Sequence, residues 1–248
     1  MHHLQHGELT ERFLPFLSYR YNACLCMKMI CSGGYKVSSV ILVKHPLVSD
    51  RLRTLRDRET NTELFRRALR ELGLILAVEA TRHLSTRETT VVTPLGVEAR
   101  VEEVDSSRCL LVPVLRAGLG FLDCFLEFLP RARVAHVGVA RNHDTLEAEV
   151  YLSSVPLNAT EYDHVFILDP MLATGNSSVK VLELLQLRGY SPGKVVLVCG
   201  FAVEAGITQV CLKFPGVRIV TAAIDPELND LGYIVPGLGD AGDRLYLL

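Results

Sequence analysis

The sequence contains no long basic run, no C-x-x-C pair and no apolar stretch long enough to cross a membrane. The net charge is −2, which argues against nucleic acid as a partner, although a local basic patch is compatible with it. Arg20, Asn22 and Lys28 interrupt the apolar pieces near the N-terminus, so neither a membrane span nor a secretory signal fits. We therefore expect a cytoplasmic chain with no membrane or nucleic-acid partner.

The seven cysteines are odd in number and lack the spacing of a zinc site. Cys109 and Cys199 lie in apolar, strand-like runs. Disulfide frameworks belong mainly to secreted proteins, whereas cytosolic proteins keep their thiols reduced. We therefore predict that the cysteines are reduced and that those in the apolar runs belong to the core.

The chain has 248 residues, 49% of them hydrophobic and 22% charged, which is enough for one large core. Residues 1–35 differ from the rest, with three early histidines and short, interrupted apolar pieces. They are predicted to be an N-terminal extension that is disordered or not native, with Met27 or Met29 as the natural start. A targeting presequence is the weaker alternative. Residues 36–248 show no repeat or linker and are predicted to be a single domain.

Strand-like and helix-like runs alternate from residue 36 onward. The run at 109–115 is continuously apolar, as a parallel strand covered on both faces must be. Residues 61–83 have apolar positions spaced in threes and fours, and residues 89–102 alternate around a Pro-Leu-Gly turn. The pattern predicts an α/β fold, with a mainly parallel sheet flanked by helices and a β-hairpin insert. Ligands of such sheets bind beyond the carboxyl ends of the strands.

An acid, a glycine and several hydroxyls follow one predicted strand, in the stretch DPMLATGNSS from Asp169 to Ser178. Gly175 permits a tight turn, after which backbone amides can converge on an anion at a helix N-terminus. A P-loop would place a lysine directly after its glycine, but here the first lysine is Lys180, inside the predicted helix. The stretch therefore favours a terminal monophosphate over a triphosphate. A plain capped turn is the alternative.

The stretch VLRAGLG, Val114–Gly120, places an arginine at the end of another buried strand. The planar fork of Arg116 suits phosphate oxygens, and the small residues after it let a phosphate approach the backbone. A solvated arginine at a strand end is the alternative interpretation.

The third stretch is GYIVPGLGDAGDR, Gly232–Arg244, with Asp240 in its middle. It contains G-x-G-x-x-G, but a dinucleotide site needs that pattern inside a βαβ unit, and this one lies almost at the C-terminus. Several glycines instead indicate backbone brought close to a flat ligand. A glycine-rich terminal turn is the alternative.

Together these loops resemble the uracil phosphoribosyltransferase family. The similar stretches, in order, are VKHPLV at 43–48, LRAGLG at 115–120, RN followed by TLE at 141–147, DPMLATG at 169–175 and GYIVPGLGDAGDR at 232–244. The resemblance implies the type I phosphoribosyltransferase fold, in which a hood covers a parallel sheet. It also implies transfer of the phosphoribosyl group of 5-phosphoribosyl 1-pyrophosphate (PRPP) to N1 of uracil, giving UMP and pyrophosphate.

The resemblance assigns roles to particular residues. Asp240, Asp169 and Arg116 are the implied catalytic residues. The implied PRPP-binding residues are Arg116, Arg141, Asp169, Ala173, Thr174, Gly175, Asn176, Ser177 and Asp240. The implied uracil-binding residues are Ile234, Gly239, Asp240 and Ala241. Mg²⁺ is the implied cofactor, held mainly by the substrate, and the implied assembly is a homodimer or homotetramer with GTP as a possible activator.

Some positions depart from the family pattern. Relatives commonly have glycine where Asn176 stands, an acid at His143 and a proline at Ala148. Asparagine is tolerated if the position needs a positive φ, but it would weaken binding if bare backbone is needed. These departures leave a non-catalytic nucleotide or PRPP sensor as an alternative. The charged run at 53–60 is either part of a GTP site or a solvated helix end.

Overall fold

The computed structural model describes residues 24–29, 38–141 and 148–247. Within them, ten strands form one sheet, whose main path runs β1-β2-β12-β11-β9-β5-β7-β8. The strands on this path are β1 (Cys24–Met29), β2 (Ser38–Val43), β5 (Cys109–Leu115), β7 (Val137–Arg141), β8 (Ala148–Ser153), β9 (His164–Leu168), β11 (Val195–Val203) and β12 (Arg218–Asp225). The short strands β6 (Arg133–Val134) and β10 (Met171–Leu172) pair with β5 and β11.

The sheet is parallel from β2 through β12, β11, β9 and β5 to β7, and β1 and β8 pair antiparallel at its two edges. Every residue of β11 is buried, as are all but the last of β5. Continuous apolar runs with both faces covered are the signature of a parallel sheet. The predicted α/β class and mainly parallel sheet are confirmed.

Six helices accompany these strands in the described residues. They are α1 (Pro46–Arg56), α2 (Thr62–Ala80), α3 (Leu119–Phe128), α4 (Asn176–Leu187), α5 (Glu204–Lys213) and α6 (Ala241–Tyr246). Asn61 begins α2 by accepting from the amide of Leu64, and His45 begins α1 through its Nδ1 atom, with Pro46 in the first turn. A side-chain acceptor before the helix and a proline just inside it are typical N-terminal signals.

Two apolar cores lie on the two faces of the sheet. One contains Leu55 of α1, Leu72 of α2, Phe125 of α3 and Leu245 of α6. The other contains apolar residues of α4 and α5, such as Leu182. The helices thus form one layer on each side, and both cores leave the carboxyl ends of the strands open for the loops between them.

The predicted hairpin is confirmed as β3 (Thr86–Val92) paired antiparallel with β4 (Glu98–Val104), separate from the main sheet. Two helices were not predicted, α1 and α6. Both are short, and α6 has only six residues after a glycine-rich stretch. The stretch 134–140 is divided between β6 and β7.

The interpretation of residues 1–35 as an extension stays a prediction. Within it, Cys24–Met29 form β1, which pairs with β2. His143 lies outside the described residues, whereas Ala148 begins β8. No helix among the described residues is both long and apolar enough to cross a membrane.

Candidate active site

A cavity of about 350 Å³ opens at the carboxyl ends of β5 and β9. It brings together all three loops identified in the sequence, although they lie far apart along the chain. The lining residues include eight with predicted roles: Arg116, Asp169, Ala173, Ser177, Ile234, Gly239, Asp240 and Ala241. Val114, Leu115, Ala117, Val139, Met171, Gly232, Tyr233 and Gly242 complete the lining. The position agrees with the general rule for ligands of parallel sheets.

The loop after β9 turns into α4 at Gly175, which has a φ of 86°. A Cβ atom at this position would also lie 3.0 Å from the carbonyl oxygen of Gly206 on α5, so a side chain there would be strained and crowded. The first amides of α4 have no acceptor within the helix. That of Asn176 donates a long hydrogen bond of 3.4 Å to Oγ1 of Thr174, and the amides after it can bind an anion. Ala173 and Ser177 flank this turn and line the cavity, whereas Thr174 is exposed and does not line it.

Asn176 is the first residue of α4 and does not have a positive φ. The explanation that asparagine tolerates a left-handed backbone therefore does not apply here, because the left-handed residue is Gly175. The side chain of Asn176 is exposed, and its Oδ1 accepts a 3.0 Å hydrogen bond from Nε2 of Gln209 on α5. It does not line the cavity.

Asp169 follows the last residue of β9 and faces the cavity. Its backbone amide donates to the carbonyl oxygen of Val198, which keeps it aligned with the neighbouring strand. Burial raises the pKa of its carboxyl to about 7, while a long hydrogen bond from the amide of Met171 acts in the opposite direction. A carboxyl poised near neutral pH beside a cavity is a typical feature of functional sites.

Arg116 is the first residue after β5, and its exposed side chain lines the cavity. Its guanidinium lies 3.7 Å from a carboxylate oxygen of Asp243, and the peptide bond between Leu115 and Arg116 is cis. The carbonyl oxygen of Arg116 accepts a hydrogen bond of 3.2 Å from the hydroxyl of Tyr246. Arg141 ends β7, but its side chain lies outside the described part of the structure, so its predicted role stays a prediction.

The C-terminal stretch forms β14 (Ile234–Val235), a tight turn and then α6. β14 pairs antiparallel with β13 (Glu227–Leu228), so the glycine pattern does not lie in a βαβ unit. Asp240 precedes α6 and accepts from the amide of Asp243 at 2.9 Å, as a typical N-cap does.

The comparisons with known proteins agree with this geometry. The family model described as uracil phosphoribosyltransferase matches residues 41–247. The chain belongs to this family. A uracil phosphoribosyltransferase from Agrobacterium fabrum is 46% identical over 211 residues, which cover 85% of this chain and 99% of the relative. The one from Thermosipho melanesiensis is 43% identical over 205 residues, covering 83% and 97%.

A solved structure has a similar fold. The AQ2163 protein from Aquifex aeolicus aligns with a TM-score of 0.75 and 38% sequence identity, covering 84% of this chain and 98% of that one. The predicted type I phosphoribosyltransferase architecture and the predicted membership of the uracil phosphoribosyltransferase family are confirmed.

The site of this uracil phosphoribosyltransferase family member has two carboxylates suited to a hard cation. Asp169 and Asp240 line the same cavity, and the described residues contain no group of three or more His, Cys, Asp and Glu side chains that could hold a metal alone. Mg²⁺ commonly binds through one or two carboxylates together with substrate phosphates. The residues present therefore fit a magnesium ion that arrives with its substrate.

Several residues of the site were missed by sequence reasoning. Gly206 lets α5 approach the loop 169–175, called the phosphate loop below, since a Cβ there would lie 2.2 Å from the carbonyl oxygen of Ala173. Tyr246 contacts the Arg116 loop, and Tyr233 lines the cavity. A glycine within a predicted helix was the signal available for Gly206, whereas Tyr246 lay in a segment for which no helix was predicted.

Proposed function

We propose that this chain transfers the 5-phosphoribosyl group of PRPP to N1 of uracil, giving UMP and pyrophosphate. The observation that carries the proposal is the meeting of the phosphate loop, the Arg116 loop and the C-terminal stretch around one cavity. The matching relatives bear the name of this activity over 83% or more of the chain. A non-catalytic sensor gains no support from them, and Asn176, which motivated it, turns its side chain toward Gln209.

Each loop suits one part of the substrates. The amides at the start of α4 suit the 5′-phosphate, and the Asp169 carboxylate can accept from the ribose hydroxyls just beside it. Arg116 offers its fork to the pyrophosphate. Arg141 is proposed for the same group on the resemblance alone.

Uracil is proposed to lie against the segment 232–240, called the base loop below, and the start of α6. Backbone groups around Ile234, Gly239 and Ala241 would read the edge of the base. A carbonyl oxygen can accept from N3–H of uracil, whereas cytosine presents only an acceptor there. With cytosine the buried carbonyl oxygen would face another acceptor and lose its hydrogen bond, and such a loss discriminates strongly between bases.

In the reaction, N1 of uracil forms a bond to C1 of the ribose as the bond from C1 to pyrophosphate breaks. Positive charge develops at the ribose, so positioning and charge stabilisation matter more than a covalent nucleophile. Arg116 stabilises the leaving pyrophosphate, and Asp240 either organises the ribose end or assists the loss of the N1 proton. Mg²⁺, when bound, would neutralise charge on the pyrophosphate, and Asp169 and Asp240 are the carboxylates of the cavity lining that would hold it together with the substrate.

We further propose a homodimer or homotetramer in the cytoplasm. The hairpin of β3 and β4 exposes apolar side chains, with Val92 70% and Leu95 89% accessible, which suits contact with a second copy. The buried cysteines Cys109, Cys124 and Cys199 are free, as expected in a reducing compartment. GTP stays a proposed activator, whose site is not assigned.

The test is UMP formation from labelled uracil and PRPP with Mg²⁺, with cytosine as the control base and with GTP added in a parallel series. We expect turnover with uracil and none with cytosine. Binding of PRPP without any turnover would favour the sensor instead. Light scattering of the same sample, with and without GTP, measures the assembly.

A further inference from the structure

One ion pair holds both backbone polar groups of Gly237 in the base loop. Arg56 donates from Nη1 and Nη2 to the two carboxylate oxygens of Asp225, at 2.8 and 2.6 Å. The same Nη1 donates to the carbonyl oxygen of Gly237 at 2.9 Å, and the Gly237 amide donates to Asp225 at 3.0 Å. The three residues therefore form a closed hydrogen-bonded unit.

The pair ties the loop to rigid parts of the fold. Asp225 is the last residue of β12, and Arg56 is the last residue of α1. The Asp225 side chain is 6% exposed, and the Arg56 guanidinium lies 4.7 Å from the centre of the Phe201 ring. The Arg56 side chain is 29% exposed, and separating the pair would leave the largely buried Asp225 carboxylate without its cation, which is unfavourable.

Movement of Gly237 would reach the cavity through Ile234. Gly237 has a φ of 54°, and a Cβ atom there would lie 2.1 Å from the carbonyl oxygen of Ile234. The loop therefore folds back closely on itself at this point. Ile234 lines the cavity, whereas neither Arg56 nor Asp225 does. The hydrogen bonds to Gly237 link the pair directly to the base loop, and we expect its effect on the site to pass through them.

We propose that Arg56 and Asp225 are positioning residues for the pyrimidine base, which fix the base loop in its binding conformation before uracil arrives. The assignment of the loop to uracil rests on the proposed function. A loop that is already ordered spares the base the entropy cost of ordering it on binding. Because the pair contacts Gly237 and not the phosphate loop, the effect should be larger for uracil than for PRPP, whose one assigned contact in the base loop is Asp240.

The test compares Asp225→Asn and Arg56→Lys with Glu79→Gln. Glu79 is a matched control, because it is 8% exposed and pairs with an arginine, Arg82, at 2.7 Å, on α2 and outside the cavity lining. Steady-state kinetics measure KM for uracil and for PRPP separately. Hydrogen exchange of the peptide covering 232–240, without substrate, reports the loop directly.

Asp225→Asn is expected to raise KM for uracil by at least about tenfold, with KM for PRPP changed by less than about threefold. Hydrogen exchange across the base loop should be faster than in the wild-type protein. Arg56→Lys should shift both readouts in the same direction but less, because an ammonium keeps the charge and loses the fork. Glu79→Gln should lower the unfolding temperature and leave both readouts unchanged.

Two results would overturn the proposal. One is unchanged uracil KM and loop exchange in folded Asp225→Asn, or in Arg56→Lys if the first variant does not fold. The other is an equal rise of uracil KM in Glu79→Gln, which would indicate general destabilisation. A wild-type protein without turnover would refute the proposed function instead, and the exchange comparison would still decide whether the pair orders the loop.

Discussion

Gln209 on α5 donates a 3.0 Å hydrogen bond to the Asn176 side chain at the first position of α4. The bond turns the amide of Asn176 toward α5 and away from the helix N-terminus, where the 5′-phosphate is proposed to bind. Asn176 stands where relatives commonly have glycine, and its side chain thus leaves the proposed phosphate site open.

This relationship predicts that the two side chains act as a unit. Asn176→Gly should leave KM for PRPP equal or lower, because no contact to the phosphate is lost. Gln209→Ala should raise KM for PRPP about two- to fivefold when Asn176 is present and have no effect in Asn176→Gly, as coupled neighbours do. Steady-state kinetics of the four proteins measure the coupling. A large loss in Asn176→Gly alone would mean that asparagine contacts the phosphate.

Tyr246→Phe should loosen the Arg116 loop. The substitution removes the hydroxyl that donates to the Arg116 carbonyl oxygen at 3.2 Å and keeps the ring. We expect KM for PRPP to rise up to about fivefold, since one neutral hydrogen bond contributes about 1 kcal/mol. The matched control is Tyr190→Phe, which removes an equal 3.2 Å bond to the carbonyl oxygen of Pro156, outside the cavity lining. Equal kinetic effects of the two variants would show that the Arg116 contact has no special role.

Asp240→Asn should reduce turnover at least about tenfold while the protein stays folded. Asparagine caps helices about as well as aspartate, so the 2.9 Å bond to the Asp243 amide can be kept. The variant therefore removes the charge and leaves α6 in place. Turnover and the unfolding temperature are measured on the same preparation. Near-normal turnover would exclude the Asp240 carboxylate from the mechanism.

Local patterns were sufficient to predict most of the sheet and the loops of the site. The buried strands β5 and β9 read as continuous apolar runs, and each is followed directly by a residue of the cavity, Arg116 or Asp169. Because parallel strands bring their carboxyl ends to one edge, loops distant in sequence could be expected to meet.

Long-range contacts could not be predicted in this way. The charged run at 53–60 reads as a solvated helix end, and that interpretation is wrong for Arg56, whose partner Asp225 lies 169 residues further along the chain. Arg58, two residues further on, is 92% exposed, so two arginines of the same charged run have different environments. Nothing in local spacing distinguishes them, since the difference comes from how α1 docks against β12.

Asp169 predicts an unusual dependence of stability on pH. Burial raises the pKa of its carboxyl in the folded protein to about 7, above its ordinary value of 3.8. Between these values the folded state holds a proton that the unfolded state has released. Stability from this group is therefore lost as the pH rises from about 4 to about 7, the reverse of an ordinary paired carboxylate.

His83 acts in the opposite direction, so the wild-type curve alone cannot test this prediction. Burial lowers its pKa to about 4, and the folded state therefore holds fewer protons than the unfolded state up to about pH 6.5. Asp169→Asn leaves the histidine unchanged and removes only the carboxyl. The free energy of unfolding of Asp169→Asn, taken relative to that of the wild type, should increase as the pH rises from 4 to 8. For His83→Gln the same difference should decrease. Parallel curves for wild type and Asp169→Asn, from denaturant titrations across this range, would show that the Asp169 carboxyl titrates near its ordinary pKa.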